Sequence, residues 1–110
     1  MLLILSDVHG RFEVVNEQIA DAEDRVGSAL AGAIVLGDFG LIEPHLRRFF
    51  RKRGQRFARP LAFVDGNHED FDHFEALVEG YADVFTHWPR GAVRDLDGHR
   101  FLCLGGAAYM

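Results

Sequence analysis

Three short clusters of polar residues in this sequence share one composition. They read Ser6-Asp7-Val8-His9-Gly10, Gly37-Asp38-Phe39-Gly40 and Asp65-Gly66-Asn67-His68-Glu69. Carboxylate, imidazole and amide oxygen together form the mixed donor set that a first-row divalent metal accepts. Glycine beside each cluster lets the backbone turn sharply and leaves one side of a site open. Taken singly, each cluster has a plainer reading. Asp7 could cap a helix. Asn67 could serve a turn, and His68 a polar contact. Those readings are independent of one another, so three such clusters in succession weigh toward one shared site.

The elements that position the clusters follow from hydrophobic periodicity. Leu2 to Leu5 is a continuous apolar run, as expected of a strand buried on both faces. Phe12, Val15, Ile19 and Ala22 recur at three- and four-residue spacing, which predicts a helix from about Arg11 to Asp24. Ala33 to Leu36 is a second strand. Pro44 suits the first turn of a second helix carrying Leu46, Phe49, Phe50 and Arg53 and ended by Gly54. Leu61 to Val64 is a third strand. Phe71, Phe74, Leu77 and Val78 predict a third helix closed by Gly80. Each cluster therefore sits at the carboxyl end of a strand, where open parallel sheets bind their ligands. Alternating strands and helices imply an α/β fold, a largely parallel sheet of three strand-helix units with helices on its faces. Val84-Phe85, Val93 to Leu96 and Phe101 to Leu104 read as shorter strands. Asp97-Gly98 between the last two signals a two-residue hairpin, so an antiparallel addition closes the chain.

Composition narrows the class. The 110 residues allow one domain, and 48% hydrophobic with 26% charged residues is ordinary for a globular protein. No apolar run approaches the length of about 18 residues that suggests a membrane span. A single cysteine, Cys103, excludes an internal disulfide and fits a reducing cytosol, so a cytoplasmic location is expected. The net charge of −5 argues against a general nucleic-acid binder. Seven of the twelve basic residues nevertheless lie between Arg47 and Arg59, with no acid among them. Such a stripe either attracts phosphates or forms a solvated helix face. Asp38-Phe39-Gly40 spells the kinase metal-binding tripeptide, but no glycine-rich loop accompanies it. Gly32 to Gly37 has P-loop glycine spacing, but Asp38 stands where lysine is needed.

Asp7-Val8-His9-Gly10, Gly37-Asp38 and Gly66-Asn67-His68-Glu69 resemble the first three motifs of the calcineurin-like metallophosphoesterase family, in order and in their spacing of roughly thirty residues. Phe101 to Ala107 is similar to the strand and Gly-Gly-Ala turn of bacterial members. The resemblance implies the first half of a two-sheet sandwich and hydrolysis of phosphate esters at a dinuclear metal centre. It implies two divalent ions, of Mn, Fe, Zn, Co or Ni. Asp7 and His9 would hold the first, Asp38 would bridge both and Asn67 would hold the second. It gives His68 the role of general acid or donor to the phosphoryl oxygens. The implied partner is a phosphate-ester substrate, with nucleic acid only as a phosphodiester or nucleotide substrate, and no membrane.

Two departures from the family pattern matter. The protein-phosphatase continuation Gly-Asp-x-x-Asp-Arg-Gly is replaced by Gly37-Asp38-Phe39-Gly40-Leu41-Ile42-Glu43. The acid that would orient His68 and the arginine that would grip phosphate are both missing, leaving Glu43 or Asp70 as orienting acids. The later Gly-His-x-His block is missing too. The remaining histidines, His45, His73, His87 and His99, read as surface or partly buried residues. The 110 residues are thus expected to form a single, incomplete phosphoesterase domain prone to self-association. The alternative is a non-catalytic binding or scaffold module that keeps the fold.

Overall fold

The computed structural model describes residues 1–65, 72–89 and 91–103. Four strands, β1 (Leu2–Leu5), β2 (Gly32–Leu36), β3 (Leu61–Val64) and β4 (Thr86–His87), form a parallel sheet in the order β1-β2-β3-β4. Helix α1 (Phe12–Val26) joins β1 to β2 and ends at Gly27 in the left-handed conformation, φ 75°. Helix α2 (Glu43–Leu46) continues as a π-helical segment, Arg47–Lys52, and α3 (Phe74–Gly80) precedes β4. Strands β5 (Val93–Leu96) and β6 (His99–Leu102) pair as an antiparallel hairpin around Asp97 and Gly98. Both turn residues have positive φ, 52° and 76°, as a tight hairpin requires.

The strand order explains where the helices lie. Right-handed crossovers between parallel strands taken in unbroken order place every helix on the same face. The sequence reading of helices on both faces is corrected accordingly. Leu3, Leu5, Ala33, Val35, Leu61 and Phe63 face the helical layer, with Phe12, Val15 and Ile19 of α1, Leu46, Phe49 and Phe50 of the second helical region, and Leu77 of α3. The opposite face, Leu2, Ile34, Ala62 and Val64, packs against Trp88, Cys103 and the hairpin residues Leu96 and Phe101. The result is the partial metallophosphoesterase-like α/β arrangement expected, with one helical layer and one hairpin.

Element boundaries differ from expectation in the later part of the chain. The fourth strand is Thr86–His87, not Val84-Phe85, and it is parallel. Val84 and Phe85 instead close a turn after α3, their amides donating to the Tyr81 carbonyl, while Phe85 buries its ring against Phe39 and Phe63. The last strand runs His99–Leu102, not Phe101 to Leu104, because the Asp97-Gly98 turn pairs Leu96 with His99 directly; Leu104 lies outside the described residues. Gly80 closes α3 as its last residue, and Tyr81 follows it as the cap. Gly54, with φ 63°, follows the Arg53 cap that ends the second helical region.

Candidate metal centre

The three clusters begin where β1, β2 and β3 end. In the first, the chain alternates between core and surface: Val8 is buried while Asp7 and His9 are exposed. The second follows the same rule. Phe39 is fully buried and stacks on Phe63 at 4.6 Å between centroids, so Asp38 is held at the surface of the core by its neighbour. The two loops are tied together. The His9 amide donates to the Asp38 carbonyl at 2.8 Å, and the Gly10 amide to the Phe39 carbonyl at 3.0 Å. The Gly37 amide donates across to Val64 at the end of β3, at 2.8 Å.

The side chains converge. One ligand atom each of Asp7, His9 and Asp38 lies within 4.8 Å of the others. His9 Nε2 is 3.7 Å from Asp7 Oδ1, and the Ser6 hydroxyl donates to Asp7 Oδ2 at 3.2 Å. The backbone is unusual at all three. Asp7, His9 and Asp38 have φ of 56°, 51° and 48°, and Asp97 in the hairpin turn is the other non-glycine in that region among the described residues. Asp and His tolerate this region better than most side chains, but each residue there still costs about 1–2 kcal/mol. Strained backbone of this kind clusters at functional sites.

Asp7 does not cap α1: the N-cap is Arg11, without a side-chain capping bond. The plainer reading of Asp7 is thereby removed. Glycine is needed at two points. At Gly40, φ 89°, a Cβ would collide with the Gly10 amide nitrogen, so a side chain would force the two loops apart. At Gly10, φ 77°, a Cβ would collide with Nδ1 of His45. His45, in the first turn of α2, thus packs its ring on the loop that carries His9.

The donor chemistry fits a divalent cation. Two carboxylates brought this close repel each other, and a positive charge between them relieves that repulsion. The imidazole adds a nitrogen donor suited to a transition metal.

The match that decides the family is a model of calcineurin-like phosphoesterases, which covers residues 1–109. The chain belongs to the calcineurin-like phosphoesterase family. No curated protein and no solved structure matches it. Family membership brings metal-dependent phosphoester hydrolysis as the general chemistry and phosphate esters as the substrate class. No helix among the described residues of this calcineurin-like phosphoesterase is long and apolar enough to cross a membrane.

The structure brings together Asp7, His9 and Asp38. Asn67 and His68 lie outside the described residues, as does Asp70, one of the two acids expected to orient His68. The other, Glu43, is engaged by Arg47, whose Nη2 is 2.6 Å from Glu43 Oε1. Part of the basic stripe is paired with acids. Arg51 pairs with Asp83 and lies over the Tyr81 ring, Arg56 approaches the same Asp83, and Arg59 pairs with Glu23. The Arg51 hydrogen bond holds the Asp83 carboxyl below its ordinary range.

Sequence reasoning assigned no role to Asp65 or His87. Asp65 is buried, 7% exposed, and its Oδ1 is 3.1 Å from His87 Nε2. The available signal was an acid in front of Gly66-Asn67 together with a histidine among apolar neighbours. Nothing local in the sequence couples the two across 22 positions.

Proposed function

We propose that this chain carries the amino-terminal half of a dinuclear phosphoesterase site. The observation that supports it is the convergence of Asp7, His9 and Asp38 within 4.8 Å on strained backbone. Asp7 and His9 would hold the first ion, Asp38 would be shared with the second, and Asn67 would offer its amide oxygen to the second. When bound, the divalent ions supply charge stabilisation for the phosphoryl oxygens and a nucleophilic water at neutral pH. His68 follows Asn67 directly and carries the proton needed by the leaving alkoxide. Asp38 is suited to bridging because two cations about 3.5–4 Å apart need an anion between them. The identity of the ions is open among Mn, Fe, Zn, Co and Ni, all of which accept this donor set. A cytoplasmic location accords with the lone Cys103, buried in the sheet core.

The donor count favours further ligands from outside the described set. The first ion would have three protein donors and the second Asp38 and Asn67, whereas such metals take about five or six. The reading is tested by calorimetric Mn²⁺ titration of the chain and of Asp7→Ala, His9→Ala and Asp38→Ala. Each substitution is expected to weaken the tighter binding event by about tenfold or more. An isotherm unchanged by His9→Ala would sink the assignment.

A further inference from the structure

Nδ1 of His45 is buried and has no hydrogen-bond partner among the described residues. Buried polar atoms are nearly always paired, so an unpaired one calls for a physical reason. The helical layer is otherwise built on apolar rings such as Phe12, Phe39 and Phe49, and a ring of that kind would fill space without burying a nitrogen. Nor does His45 belong to the ion-binding group, which among the described residues is Asp7, His9 and Asp38.

The start of the second helical region brings the ring to its place. The His45 and Leu46 amides both donate to the Ile42 carbonyl at 3.1 Å, and Leu46 is fully buried, so the turn that carries His45 is anchored. The ring lies against Gly10, the residue after His9. A Cβ on Gly10 would stand 3.0 Å from Cγ and 3.2 Å from Cε1 of His45, and nearest of all to Nδ1. The α-hydrogen that takes the place of that Cβ therefore points at Nδ1. Gly40 approaches Gly10 as well, since a Cβ on Gly40 would fall 2.7 Å from the Gly10 Cα. Gly10 is thus held by two neighbours while its amide donates to the Phe39 carbonyl, and it keeps φ 77°. A ring edge this close must carry no hydrogen. An N–H at Nδ1 would be a buried donor without an acceptor, driven into Gly10. The tautomer with its proton on Nε2 turns a bare lone pair toward Gly10 instead, and a Cα–H contact suits it.

We propose that His45 is a positioning residue for the first site cluster: the hydrogen-free Nδ1 edge of its ring holds the left-handed turn at Gly10 and so sets where His9 stands. The inference rests on the proposed ligand role of His9, and its test separates the two. Ring ¹⁵N resonances of His45 in the metal-free wild-type chain report the tautomer without need of a variant, and are expected to show Nδ1 bare and Nε2 protonated. Mn²⁺ titration and the backbone amide resonances of His9 and Gly10 are then compared among wild type, His9→Ala, His45→Ala, His45→Asn, His45→Gln and Leu77→Ala. His45→Ala is expected to weaken the His9-dependent binding event by about tenfold and to shift both resonances. His45→Asn, whose amide oxygen can take the place of Nδ1, should restore both. His45→Gln, which reaches toward the Nε2 position, should restore neither. Leu77→Ala removes a buried side chain of α3. It should lower Tm yet leave Mn²⁺ affinity within about twofold, which separates positioning from a general loss of stability. A proton on Nδ1, or rescue by His45→Gln equal to that by His45→Asn, would overturn the proposal. So would an Mn²⁺ affinity that depends on His9 but falls no further in His45→Ala than in Leu77→Ala. If Mn²⁺ binding does not depend on His9, while the tautomer and the resonance shifts with their rescue by His45→Asn are as expected, His45 keeps its hold on Gly10 and the ligand role of His9 falls.

Discussion

Asp38 has two demands on it. Its carbonyl accepts the His9 amide, and its carboxylate shares the 4.8 Å group with both first-cluster ligands. A bridging carboxylate touches two cations, so Asp38→Asn is expected to lower Mn²⁺ affinity more than Asp7→Asn, read by calorimetry. Equal losses would mean that Asp38 is not shared. At Gly40 a methyl group meets the Gly10 amide on backbone at φ 89°. Gly40→Ala is therefore expected to destabilise the chain by about 1–3 kcal/mol and to weaken metal binding, measured as a fall in Tm and in affinity. His68→Ala separates acid from ligand. Metal binding should persist while aryl phosphate hydrolysis falls about 10²–10⁴-fold, and less for substrates with good leaving groups. Loss of the metal in that variant would show that His68 is a ligand instead.

Among the elements, those whose residues speak for themselves were readable in advance. Leu2–Leu5, Leu61–Val64 and the Asp97-Gly98 hairpin lie where periodicity and turn chemistry placed them. That Asp7, His9 and Asp38 come together was equally readable, because residue type, adjacent glycine and strand end coincide. What local pattern cannot carry is the partner of a residue. The apolar pair Val84-Phe85 looks like a strand, yet Phe85 is used by Phe39 and Phe63 from other elements. The widened turn at Arg47–Lys52, in which the Arg53 amide reaches the Arg48 carbonyl, coincides with two adjacent buried rings, Phe49 and Phe50, 4.9 Å apart. A plain helix would turn one of them away.

The link between α1 and the strand entrances gives a prediction at the same scale. Glu23 accepts the Leu30 amide at 2.8 Å and Arg59 Nε at 2.7 Å. The amide first, then the guanidinium, hold its carboxyl below the ordinary value of about 4.5. A carboxyl depressed on folding adds stability that is fully present above its unfolded value and is lost as pH falls through the folded one. Glu23→Gln should therefore lower Tm at neutral pH, and its difference from wild type should shrink steadily below pH 4.5. A constant difference down to about pH 3 would mean that the pair contributes no charge-dependent stability.

At the scale of the whole molecule, the unbroken strand order has an energetic consequence. All three helices cover one face of the sheet, and a single short hairpin covers part of the other. At the site end of that second face Ile4 and Leu36 remain 47% and 51% exposed, and Val93 and Leu102, paired in the hairpin, are exposed as well. Ile4 pairs with Ile34 on β2, and Leu36 with Val64 on β3, so both side chains extend an apolar surface whose remainder is already buried. Apolar patches that continue a core in this way mark association surfaces. Concentration-dependent self-association is therefore expected in sedimentation velocity. Ile4→Thr with Leu36→Thr keeps β-branched or strand-compatible side chains while removing apolar area, and should shift the distribution to monomer. The same face bears on the chemistry, because it adjoins the loops that hold Asp7 and Asp38. If donors carried by a further layer complete the second ion, this chain should bind that ion substoichiometrically and turn over an aryl phosphate slowly with added Mn²⁺. A chain extended through a Gly-His-x-His segment should then be faster and less prone to associate. A wild-type chain that stays monomeric at every concentration and turns over as fast as the extended one would show that the 110 residues complete the site by themselves.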